Sequence, residues 1–86
     1  MLSEKEIECC SILEKHAPQI NALSYAYQFE EILGELHEVT DDKQHLTTAK
    51  DVLFEISWDS LPTALRDKDC FMERLNRIEE GVVKTM

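Results

Sequence analysis

Turn-forming residues are scarce in this chain: two glycines and two prolines serve 86 residues. An all-β domain turns about every eight to twelve residues and draws on Gly, Pro and Asn-Gly pairs to do so. Helices run long and need few turns, so the chain reads as all-α. No internal repeat, low-complexity run or linker divides it, and the length suits a single helical domain over residues 1–86.

The apolar spacing resolves into a compact bundle of about four helices. The first is expected over residues 3–16, opened by Ser3 and Glu6 in capping-box spacing and closed by Pro18. Its stripe is Ile7, Cys10, Leu13 and Ala17, widened by Cys9 and Ile12. The second is expected over residues 19–39, where Ala22, Tyr25, Phe29, Ile32, Leu36 and Val39 alternate steps of three and four as a heptad seam. Ile20, Leu23 and Tyr27 form another apolar set, which either packs on the first helix or stays exposed. Gly34 interrupts this helix at a cost of about 1 kcal/mol relative to Ala, and marks either a close backbone approach or neutral change.

The third helix is expected over residues 42–57, capped by an Asp of Thr40-Asp41-Asp42 and striped by Leu46, Ala49, Leu53 and Ile56, with Val52 and Phe54 beside them. Residues 51–58 also fit a strand, but no second strand signal exists to pair with it. The fourth is expected over residues 61–83, with Phe71, Leu75, Ile78 and Val82 as its stripe and Gly81 as a stop signal. A break near residue 67 is the alternative, dividing a short helix over 61–66 from a last one over 69–83.

Charge is unevenly placed. Eighteen acids against nine Lys and Arg give a net charge of −9 with neutral histidines. Residues 1–42 hold ten of the acids and only Lys5 and Lys15 as bases. The densest cluster is Glu30, Glu31, Glu35, Glu38, Asp41 and Asp42, with no Lys or Arg among them. Glu31, Glu35 and Glu38 share one strip of a helix, and like charges at that spacing destabilise it by a few tenths of a kcal/mol each, roughly. One reading is a solvated helix face; the other is a surface that receives a basic protein. The basic residues Arg66, Lys68, Arg74 and Arg77 lie in the second half and either pair with that strip, pair across a dimer or make ordinary surface pairs.

Constellations for chemistry are weak. His37 with Asp41, and Asp42 with His45, have the spacing of a metal's nitrogen and oxygen ligands, but no cysteine completes either set. All three histidines are therefore expected on the solvated surface, with no metal and no cofactor. Cys9, Cys10 and Cys70 are read as thiols, a bridge from Cys70 to either neighbour being the alternative. No Gly-rich phosphate loop or nucleophile motif exists, so no catalytic residue is assigned and no enzyme is expected. Tyr27 and Trp58 are the aromatic candidates for a binding surface, since Tyr and Trp are enriched at hot spots.

The net charge argues against direct nucleic-acid binding. Met1-Leu2-Ser3-Glu4-Lys5-Glu6 lacks the basic and apolar regions of a signal peptide, and no run of about eighteen apolar residues suggests a membrane span, so a cytoplasmic setting is expected. The expected role is a non-enzymatic inhibitor or regulator that covers a basic surface of another protein, a nucleic-acid-binding surface being one such case, through Glu30, Glu31, Glu35, Glu38, Asp41, Asp42, Tyr27 and Trp58. A self-associating adaptor or chaperone, a homodimer through apolar faces, is the alternative.

Overall fold

Four α-helices make up the computed structural model, which describes residues 3–85: α1 (Glu4–His16), α2 (Tyr25–Val39), α3 (Lys43–Ser57) and α4 (Lys68–Thr85). Met1, Leu2 and Met86 lie outside the described residues. Single 3₁₀ turns at Ala17–Gln19, Trp58–Ser60 and Thr63–Leu65 join the helices, and the described residues contain no strand. The strand alternative over 51–58 is thus replaced by the C-terminal half of α3.

Local hydrogen bonds decide where the helices start. The Ser3 hydroxyl accepts from the Glu6 N–H at 3.3 Å and donates back to the Glu6 carboxylate. Asp42 caps α3 by accepting from the Gln44 N–H at 2.8 Å. Asp67 accepts from the Asp69 and Cys70 N–H groups at 2.9 and 3.2 Å, so the chain does break there and α4 begins anew. The short helix expected over 61–66 contracts to the turn Thr63–Leu65, and α4 runs through Gly81 rather than stopping at it.

The largest departure is at α2, which begins at Tyr25 instead of residue 19. The Asn21 side chain accepts from the Leu23 and Ser24 N–H groups, and the Gln28 amide bonds both the Asn21 N–H and the Gln19 carbonyl. These bonds hold Ile20–Ser24 in a turn and satisfy backbone groups that a helix would otherwise claim. Ile20 enters the core, while Ala22 is exposed and drops out of the seam.

The core then follows the stripes of α2, α3 and α4. Phe29, Ile32, Leu33, Leu36, Leu53, Phe71 and Leu75 are almost wholly buried, with Leu61 and Leu65 closing one end. Tyr25, Phe29, Phe71, Phe54 and Trp58 form a continuous series of edge or tilted ring contacts, 5.0–5.7 Å between centroids. On α3 the seam ends on Ser57 rather than Ile56. Ser57 is wholly buried because its hydroxyl bonds the Leu53 carbonyl, while Ile56 is exposed. On α1 the buried line is Cys9, Leu13 and His16, and Ile7 is exposed. The expected stripe was rotated because an apolar count passes over a histidine whose ring nitrogen a carboxylate can bond.

A Cβ built on Gly34 meets nothing within 4 Å, so no close approach within the chain requires glycine there. Gly34→Ala is therefore expected to raise the unfolding free energy by up to about 1 kcal/mol. Leu53→Ala, at a fully buried position, is expected to lower it by roughly 2–5 kcal/mol. Urea unfolding should show the two midpoints moving in opposite directions with the slope unchanged.

Candidate functional site

The outer face of α2 carries the candidate site. Residues 27, 30, 31, 34 and 38 fall within one broad sector of the helix opposite Phe29, Ile32 and Leu36. Glu30, Glu31 and Glu38 are exposed there, and Asp41 and Asp42 are exposed in the connection that follows. Among the described residues, no Lys, Arg or His forms an ion pair with any of these five. Asp42 is additionally occupied as the α3 cap.

Glu35 stands apart from its neighbours in the strip. It turns toward α1, where its carboxylate takes the Lys15 ammonium at 3.2 Å and the His16 Nε2. Burial raises the Glu35 carboxyl, but hydrogen bonds from His16 and Lys15 outweigh it, and the group ends below its ordinary value of 4.5. Because Gly34 has no side chain, a shallow depression of about 410 Å³ opens beside it, walled by Glu31, Glu35, Glu38 and Lys15.

The histidines do not sit on the solvated surface. His16 is 7% exposed and its Nδ1 is buried without a hydrogen-bond partner, so Nε2 carries the proton toward Glu35. His37 Nε2 lies 3.0 Å from Glu79, and His45 Nε2 lies 3.8 Å from Glu6. Each pair joins two helices, α1 to α2, α2 to α4 and α3 to α1. Only pairing lets such groups leave water. Sequence spacing misses these contacts because the partners are 19 to 42 positions apart. One signal was present, since His16 continues the Cys9–Leu13 line at steps of four and three.

Glu79 also accepts from the Lys50 ammonium of α3 at 2.7 Å. Burial raises its carboxyl, yet the hydrogen bonds from Lys50 and His37 prevail and hold it below 4.5. No group of three or more His, Cys, Asp or Glu among the described residues has the geometry to hold a metal ion. Cys9 is buried, Cys10 half-buried and Cys70 exposed, all three as free thiols. Burial pushes the Cys9 thiol up, away from the reactive thiolate.

The aromatic candidates part company. Tyr27 is 70% exposed on the same face as the acids. Trp58 lies at the other end of α3 from Asp42, roughly 24 Å along the axis. Its ring rests edge-on against Phe54, and the Arg66 guanidinium stands 5.8 Å from its centroid. Trp58 is thus 41% exposed at the edge of the ring series and is not gathered with the acidic face.

Both depressed carboxyls tie stability to acid. Between their folded values and 4.5 the unfolded chain binds more protons, so the stability they contribute is complete above pH 4.5 and is lost as pH falls through the folded values. Glu79→Gln is expected to lower stability at neutral pH by roughly 1–3 kcal/mol. The same change should flatten the acid limb of a plot of urea midpoint against pH. Compared with protein-family models, curated proteins and solved structures, the chain matches none.

Proposed function

We propose that this protein is a non-enzymatic binding module whose α2 face covers a basic surface of another protein and so inhibits or regulates it. The observation that carries this reading is the run Glu30, Glu31, Glu38 and Asp41, exposed and without a cationic partner among the described residues. A fold that uses Lys15, Lys50 and its histidines on other carboxylates leaves these acids to an external cation. The depression at Gly34 gives a Lys or Arg side chain room to lie between Glu31 and Glu38. Spaced carboxylates of this kind compete with phosphates for a Lys/Arg groove, so a nucleic-acid-binding surface is the favoured target. Three free thiols support a reducing, cytoplasmic setting for the encounter.

Glu35 is excluded from the test set because reversing it would strand Lys15 and His16. The informative variant is Glu30→Lys, Glu31→Lys, Glu38→Lys, whose positions are exposed. Immobilised native protein should retain a basic protein from its host's lysate at low salt and release it at high salt. The triple variant should bind that protein at least about tenfold more weakly while keeping its helical circular dichroism. Equal retention by both forms, or release indifferent to salt, would reject the acidic face as the binding surface.

A further inference from the structure

A second surface lies where the chain enters α2. Leu23 is 99% exposed and Tyr27 70% exposed, and beside them a groove of about 680 Å³ runs between α2 and α4. Leu23 and Tyr27 form its wall on the α2 side, Ala26, Ile78 and Gly81 line the rest, and a Cβ on Gly81 would meet nothing within 4 Å, so the floor is open. Leu23 is not on a loose loop. The Asn21 and Gln28 side chains fix the turn that presents it to solvent. An ordered, fully exposed leucine beside an apolar groove is a projection next to a recess on one face, which is what a two-fold contact between identical surfaces needs.

The charges select the occupant. Glu30 lines the groove on the α2 side and Arg77 on the α4 side, yet the two form no ion pair with each other. Arg77 bonds Glu73 on its own helix, and Arg74 has no ion pair among the described residues. A uniformly basic partner would meet Arg77 and Arg74, and a uniformly acidic one would meet Glu30. A partner with both signs in reversed order fits both walls, and the two-fold mate of this surface carries them in that order. Part of the net charge of −9 lies away from this place. Glu38 lies roughly 16 Å further along α2 than Tyr27, about twice the screening length at physiological ionic strength.

We propose that this face is a homodimer interface, in which Leu23 and Tyr27 of each copy enter the α2–α4 groove of the other and Glu30 of one faces Arg77 of the other. It borders the acidic face proposed above and shares Tyr27 and Glu30 with it, while Glu31, Glu38 and Asp41 lie outside the groove lining and stay available in a dimer.

Sedimentation equilibrium of the full chain tests it, with reductant present because the exposed Cys70 thiol would otherwise cross-link copies. The mass is expected to rise from 10.0 kDa toward twice that value as concentration increases, over a range of about 10 μM to 1 mM. Leu23→Glu should hold the chain at 10.0 kDa throughout, with its circular dichroism unchanged because the side chain touches no core. Arg77→Glu should weaken association, and Arg77→Glu with Glu30→Arg in the same chain should recover it. A native chain that stays at 10.0 kDa, a Leu23→Glu variant that associates as the native chain does, or a double exchange that fails to recover association would each overturn the proposal.

Discussion

The Glu79 carboxylate is the point at which three helices are pinned. It belongs to α4, accepts from Lys50 of α3 at 2.7 Å, and faces His37 of α2 at 3.0 Å. All three side chains are largely withdrawn from water, so each needs the others to remain there. The apolar seams of α2, α3 and α4 set which faces meet. The polar junction then adds a directional requirement, because a charge pair of this kind tolerates little rotation of any one helix. Lys5 does related work at the far end of α2, donating to the Val39 carbonyl at 2.6 Å and meeting the negative end of that helix.

Cations are few in this chain, and their placement explains the surface. Lys15 goes to Glu35 and Lys50 to Glu79, where the His16 and His37 rings also bond, and the His45 ring faces Glu6. Each joins its own helix to a carboxylate on another, and at Glu79 partial burial makes the attraction worth more than at an exposed site. What remains on the outer face of α2 is acid without a counter-charge, set around a glycine that the fold itself does not need. Folding and surface chemistry are thus linked through one shortage. Had lysines been interleaved along α2 in the usual i, i+4 fashion, the helix would be more stable and the face electrically quiet.

Much of the architecture was legible because the core is built from local repeats. Phe29–Ile32–Leu36, Leu46–Ala49–Leu53 and Phe71–Leu75–Val82 each announce a buried face through spacing alone, and the pair Asp41-Asp42 announces the α3 cap, which the structure gives to Asp42. Legibility failed where side chains bond the backbone or one another. Ile20–Ser24 has the apolar content of a helix, but Asn21 turns it into a bend, and that substitution of one hydrogen-bond pattern for another leaves no periodic trace. The histidines failed for a different reason. Their partners are remote in sequence, so a polar residue on an apolar stripe could be recognised as buried only through an apparent fault in the stripe.

The same limits apply to the surfaces. The acidic cluster was visible as composition, yet only the fold separates Glu35, which is structural, from Glu31 and Glu38, which face outward. The fold likewise divides Trp58, which completes a series of ring contacts, from Tyr27, which stands clear of the core. The early end of the regular seam before Tyr25 is what leaves Leu23 in water and the α2–α4 groove uncovered. A continuous helix from residue 19 would have changed the direction of Leu23 and the entry to that groove. The Asn21 and Gln28 side chains therefore set both the start of α2 and the exposure of the most accessible leucine described in the chain.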